Sequence, residues 1–218
     1  MERLNNSVIF AGIDTTRTIL ALLVAIGHFF LWNGVTNQIP SSFFLAVDFF
    51  FVISGFVLMQ KVLLSINVNF DYFFKNFLCS RLYRLFPLYL FTFILSIFLL
   101  IIQFGMHFDA FYYVFISLFL FHAMGLKTDA QHLFADTSIG IGWSISVELW
   151  MGLIFFSCVY LLRNKKAYLL IFLSYMAFLS ALLMTNFSPN LMNVNLQRIS
   201  NLITFGAIRG LEGFAIGR

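Results

Sequence analysis

Arg17 and His28 bracket an otherwise apolar stretch, Arg17-TILALLVAIG-His28. Their positions differ by eleven, and eleven steps of 100° end about 20° past three full turns, so both side chains share one helix face. At 1.5 Å per residue His28 lies roughly 16 Å along the axis from Arg17, about the midplane of a ~30 Å hydrocarbon core. Ionisable groups in a bilayer are costly and tend to mark function. A buried imidazole can take or return a proton, and the guanidinium near the rim can hold an anion. Further along the chain, Asp48 and Glu148 also interrupt apolar runs, and Ser144 shares a helix face with Glu148. A histidine, two carboxylates and an arginine in one small bundle need each other, or water, for charge compensation, which suits general acid–base chemistry. Arg81 and Arg84 stand one helical turn apart.

These residues need membrane helices to position them. Hydrophobic residues make up 61% of the chain and charged residues 10%, and mean hydropathy is +0.93. Soluble domains carry about 25% charge, so the composition excludes an ordinary soluble fold. The 31 Phe follow no period, which argues against a solenoid. The net charge of +4 fits basic loops better than nucleic-acid binding. Trp32-Asn33-Gly34 is no signal-peptidase exit, so the first apolar run reads as a retained span. Spans are expected at Thr16–Asn33, Ser42–Leu64, Leu85–Phe104, Ile139–Leu162, Ala167–Phe187 and Ile199–Gly217, with a weaker segment at Ala110–Leu126. The fold class is therefore all-α: a polytopic bundle of about six spans plus one re-entrant segment.

Loop charge gives the orientation. Asn33–Pro40 carries no charge, whereas Lys61, Lys75, Arg81 and Arg84 crowd the connection after the second span. That connection and the N-terminus are expected inside. If Ala110–Leu126 crossed, Arg163, Lys165 and Lys166 would fall outside, against the positive-inside rule; if it dips in and returns, they fall inside. The re-entrant version is preferred, which puts Gly125–Ser138 and the Asn-rich tract Ser188–Gln197 in aqueous surroundings, the former outside. Glu148 then lies roughly 14 Å from Ile139, near the midplane, and Asp48 roughly 9 Å from the outer end of its span.

Four motifs stand in order along the chain: Arg17-x10-His28; Val47-Asp48-Phe49-Phe50-Phe51-Val52-Ile53-Ser54-Gly55-Phe56; Arg81-x-x-Arg84 followed by Leu85-Phe86-Pro87; and Trp143-Ser144-Ile145-Ser146-Val147-Glu148. In this order they resemble the acyltransferase-3 family of integral membrane O-acyltransferases, as does the later stretch Arg209–Gly217, less specifically. The resemblance runs from Ile13 to Gly217. It implies transfer of an acyl group, acetyl by preference, from cytoplasmic acyl-CoA to a hydroxyl of a surface polysaccharide or related glycan, lipid-linked in some settings. It further implies a multi-pass protein of the bacterial cytoplasmic membrane with its N-terminus inside. Arg81 and Arg84 match the arginine pair linked to acyl-CoA, His28 the essential histidine and Arg17 its partner. Glu148 is expected to orient or charge the histidine. Ala46 stands where the family often has Gly. The family domain has more spans than are counted here, so the single domain at 1–218 is expected to be an N-terminal portion.

Taken without the resemblance, each residue has a plainer reading. His28 suits a hydrogen-bonded packing residue as well as a base. Arg81 and Arg84 read as topology determinants or snorkelling anchors. Asp48 is a possible site residue or a structural cap. Ser54 and Ser144 read as helix-packing residues. No His or Cys spacing suggests a metal, and Cys79 and Cys158 suggest neither metal nor disulfide. The competing functions are a transporter or flippase with an intramembrane proton relay, and an inactive remnant. The arginine pair favours the acyltransferase, because a flippase has no need of a CoA phosphate site.

Overall fold

The computed structural model describes residues 2–33, 42–64, 69–104, 114–121, 142–187, 198–200 and 203–217. The protein is a helical bundle with one short strand pair. Its long elements are α1 (Glu2–Trp32), α2 (Ser42–Leu64), α3 (Phe70–Phe104), α4 (Trp143–Leu162) and α5 (Lys166–Phe187). All five contain a stretch long and apolar enough to cross a membrane, and the chain is a multi-pass membrane protein. Side chains such as Leu22, Phe91, Phe98, Leu161 and Phe178 are exposed, as expected of helices whose outer faces meet lipid.

Two expected spans take another form. Ile199–Gly217 does not form a sixth crossing. It folds as a short antiparallel pair, β1 (Arg198–Ser200) and β2 (Ile203–Thr204), followed by a 12-residue helix, α6 (Phe205–Ile216). Twelve residues reach roughly 18 Å, short of a ~30 Å core. Thr204 caps α6, its hydroxyl accepting from the Ala207 N–H at 3.2 Å. The helix then packs among α2, α4 and α5. The approach is close: a Cβ at Gly55 would fall on the carbonyl oxygen of Phe214, and one at Gly217 on that of Val52. Phe51, Val147, Phe155 and Phe214 join the main core at this junction.

The third span also begins earlier than hydropathy alone suggests. α3 runs unbroken for 35 residues, through Pro87, so Arg81 and Arg84 lie within a helix and not in a loop. Apolar scoring stops at the charges, but a helix does not, because its backbone bonds are internal wherever the polar side chains find partners.

Contacts between α3 and α4 fix their relative direction. Phe70 meets Tyr160, Phe73 and Phe77 meet Phe156, and Arg81 meets Glu148. Tyr89 and Phe93 form a second cluster with Leu149 and Leu120. Rising numbers on α3 pair with falling numbers on α4, so the helices are antiparallel. Phe104 and Trp143 therefore lie at the same end of the bundle. A single crossing between them would put them at opposite ends, so their shared end agrees with the re-entrant reading of Ala110–Leu126. Only 114–121 of that segment is described: one helical stretch at 114–118 that turns where Leu120 has φ 57. Its carbonyls are held by side chains of the long helices. Tyr89 donates to Ser117 O at 2.6 Å, Trp150 to Phe119 O at 3.3 Å, and Ser146 to Leu120 O. A broken helix end inside a bundle needs such donors. The Asn-rich tract and the Gly125–Ser138 stretch lie outside the described residues.

Candidate active site

Four helices converge on a cavity of about 310 Å³. It lies between the Arg81–Glu148 pair and the end of the bundle where α2 stops and α3 begins. Arg17 of α1 lines it, with Val57, Leu58 and Lys61 of α2, Phe73, Asn76, Phe77, Ser80, Arg81 and Arg84 of α3, and Phe156 of α4. The spacing of the α3 residues accounts for its contribution: positions 73, 77, 80, 81 and 84 recur at three and four, one stripe of a helix. Phe77 stacks on Phe156 with ring centroids 4.9 Å apart, and the Arg81 guanidinium sits 5.5 Å over the Phe77 ring. The lining thus combines stacked aromatic rings with cations.

Glu148 organises the cations. Arg81 donates to its Oε1 as a buried ion pair, and Arg84 reaches the same oxygen at 3.2 Å. Ser54, 1% exposed, donates to that oxygen at 3.4 Å and accepts from Arg17 Nη2 at 3.3 Å. Arg17, Ser54, Glu148 and the arginine pair therefore form one chain of contacts across α1, α2, α4 and α3. The Arg17 Nε–H is buried with no hydrogen-bond partner among the described residues. Four cations, Arg17, Lys61, Arg81 and Arg84, surround a space whose nearest anionic offsets are Glu148 and, on α1, Asp14. Such a site attracts polyanions.

This arrangement differs from the sequence expectation for Glu148. Its contacts run to Arg81, Arg84 and Ser54; none among the described residues goes to His28. Glu148 at the midplane and Arg81 in a cytoplasmic loop are also incompatible, since the two touch. The physical reason is charge. A carboxylate inside the bundle takes the nearest cation, and continuing α3 as a helix carries two guanidinium groups to its level.

His28 stands apart from this cluster. It lies on α1 about three turns beyond Arg17, half-buried, with Nδ1 2.8 Å from the Val24 carbonyl. A carbonyl oxygen only accepts, so Nδ1 carries the hydrogen. In the neutral ring the lone pair then belongs to Nε2. Arg17 and His28 share a face, yet Arg17 contacts the basic cavity.

Asp48 has a partner that spacing did not suggest. Arg209 of α6 grips it in bidentate fashion, Nε to Oδ1 at 2.5 Å and Nη2 to Oδ2 at 2.7 Å. Asp48 is thus an ion-pair anchor between α2 and α6. Ser54 and Lys61 were likewise not singled out for the site. An intramembrane carboxylate signals that some cation is near, but sequence alone does not say which one. Among the described residues no group of His, Cys, Asp and Glu is of metal-binding size.

Comparison with known families matches residues 10–207 to the model of the acyltransferase-3 family, described as an acyltransferase domain. No curated protein and no solved structure matches the chain. The match covers most of the sequence and includes Arg17, His28, Asp48, Arg81, Arg84 and Glu148. The chain belongs to the acyltransferase-3 family.

Proposed function

We propose that the protein is a membrane O-acyltransferase that takes an acyl group from acyl-CoA, acetyl-CoA by preference, and places it on a hydroxyl of a surface polysaccharide or related glycan. The observation that carries this reading is the cavity itself: a strongly cationic pocket lined by stacked aromatic rings at one level, and a histidine whose Nδ1 meets the Val24 carbonyl about three turns away on α1. Acyl-CoA has the matching division. Its phosphates and adenine lie at one end and its thioester at the tip of a long flexible arm. Arg81 and Arg84 hold phosphate oxygens through their forked donors. His28 Nε2 takes the proton of the acceptor hydroxyl as the oxygen attacks the thioester carbonyl. The carbon–sulfur bond breaks, and the thiolate leaves with that proton returned from the imidazolium. Glu148 acts on the donor side, by holding the arginine pair.

The cavity lies at the end of the bundle that carries Lys61, Lys75, Arg163, Lys165 and Lys166. The positive-inside rule supports a cytoplasmic location for that end, hence an N-terminus inside and donor entry from the cytoplasm of a bacterial inner membrane. The test is acyl content of the surface glycan in cells expressing the protein, normalised to membrane-inserted protein. His28→Ala is expected to abolish acylation with the protein still inserted. Normal acylation would remove His28 from catalysis, and loss of glycan export instead would favour a transporter.

A further inference from the structure

The resemblance pairs Arg17 with His28, but the contacts of Arg17 run elsewhere. Among the described residues the hydrogen bond of the Arg17 side chain goes to Ser54, 3.3 Å from Nη2. Ser54 is buried on α2 and donates its own hydrogen to Glu148 Oε1 at 3.4 Å. Arg81 and Arg84 donate to that same oxygen. One carboxylate thus gathers the guanidinium groups of α1 and α3, the α3 pair directly and Arg17 through a hydroxyl. Arg17 lines the cavity together with Arg81 and Arg84, while His28 stands about three turns further along α1. The Arg17 Nε–H is buried with no partner among the described residues. A buried N–H left unsatisfied is costly, and a ligand oxygen completes it.

We infer that Arg17 is an acyl-donor-binding residue, the third guanidinium around the diphosphate of acyl-CoA, and that Ser54 is the positioning residue that holds it there. The inference rests on the acyl-CoA reading. Charge supports it. Arg17, Arg81 and Arg84 against Glu148 leave a surplus of two positive charges, and counting Lys61 and Asp14 as well leaves that surplus unchanged. A diphosphate esterified at both ends carries one negative charge on each phosphate, so it balances the cluster. Shape supports it too. Arg81 and Arg84 approach from α3 and Arg17 from α1, so forked N–H groups meet the diphosphate oxygens from separate helices. The Arg17-x10-His28 spacing then acts as a ruler. It sets the diphosphate roughly 16 Å from the base, and the long flexible arm of CoA bridges that gap.

The experiment is equilibrium binding of CoA to the purified protein in lipid nanodiscs at fixed salt. Arg17→Met is expected to weaken binding about tenfold or more, the loss of one charge-assisted contact. Arg17→Lys keeps the charge but loses the fork, and is expected to weaken it about fivefold. Ser54→Ala releases Arg17 and is expected to weaken CoA about threefold in the wild-type background, with no further loss in the Arg17→Met background. In turnover, Ser54→Ala is expected to raise KM for acyl-CoA by a similar factor with kcat unchanged. If Arg17→Met does not fold, Arg17→Lys and Ser54→Ala carry the test. Wild-type CoA affinity in the Arg17 variants would return Arg17 to His28. Wild-type affinity in Arg17→Lys alone would make Arg17 a general charge. Additive losses from Ser54→Ala and Arg17→Met, or a lower kcat with KM unchanged, would remove Ser54 from the positioning role. Each of these overturns the inference with the acyl-CoA reading intact. Wild-type protein that does not bind CoA would overturn both.

Discussion

At the scale of single residues, the partners of Glu148 set its role. A carboxylate beside His28 would tune the base. A carboxylate shared by Arg81 and Arg84 would bear on the proposed donor binding instead, and the contacts run to the arginines. The two roles separate in kinetics. Glu148→Gln keeps the shape, removes the charge that holds the two forks, and leaves the His28 ring and its Val24 contact alone. We expect KM for acyl-CoA to rise about tenfold, the loss of roughly one charge-assisted hydrogen bond. The pH profile of kcat is expected to stay where it is in the wild type. A shift in that profile, with KM unchanged, would return Glu148 to the histidine. The buried Arg81 also loses its ion-pair partner in this variant, so thermal stability in detergent is expected to fall as well.

At the scale of elements, α6 is the part least legible from sequence. Its apolar run looks like a membrane span, but it is a short helix wedged among α2, α4 and α5. Hydropathy reports how apolar a segment is, not whether lipid or protein surrounds it. Two features hold α6: close approach at Gly55, and the Asp48–Arg209 pair. Arg209→Met leaves the partly exposed Asp48 without this partner and is expected to cost about 1–3 kcal/mol, read as a drop in unfolding midpoint. The double variant Asp48→Asn, Arg209→Met is expected to be less damaged than the single one, because no charge is left unpaired. An additive double variant would deny the pairing. Glu212, half-buried on the same helix, has its carboxyl pushed above the usual carboxylate range, first by burial and then by the Asp48 charge, with Arg209 pulling the other way. A raised folded value means the protonated form is favoured by folding, so stability falls as pH climbs from below the ordinary carboxylate range through the raised value. Glu212→Gln is therefore expected to melt higher than wild type at neutral pH, with the gap closing in acid. The long helices α1, α2, α4 and α5 and the motifs on them were legible, because span length and interrupted charges are local signals. The Asp48–Arg209 and Ser54–Glu148 contacts were not, because they join positions distant in the chain.

At the scale of the whole molecule, the proposed donor entry requires one orientation, and helix directions and loop charge both bear on it. The antiparallel run of α3 and α4 puts Phe70, where α3 begins, and Leu162, where α4 ends, at one end of the bundle. Lys61, Lys75, Arg163, Lys165 and Lys166 cluster there. Basic residues near span ends stay in the cytoplasm, so the basic cavity is expected to open to that side. A wrong choice for Ala110–Leu126 would have split these charges between two faces, which is why the direction of α4 matters more than the exact bounds of any span. The check is single-cysteine labelling with a membrane-impermeant maleimide on intact spheroplasts, after Cys79 and Cys158 are replaced by Ser. A reporter at Asn37 or Asn190 is expected to label from outside, and one at Lys165 only after the membrane is opened. Outside labelling at Lys165 together with inside labelling at Asn37 would invert the molecule and place the cationic cavity away from cytoplasmic acyl-CoA, and the donor-site assignment would fall with it.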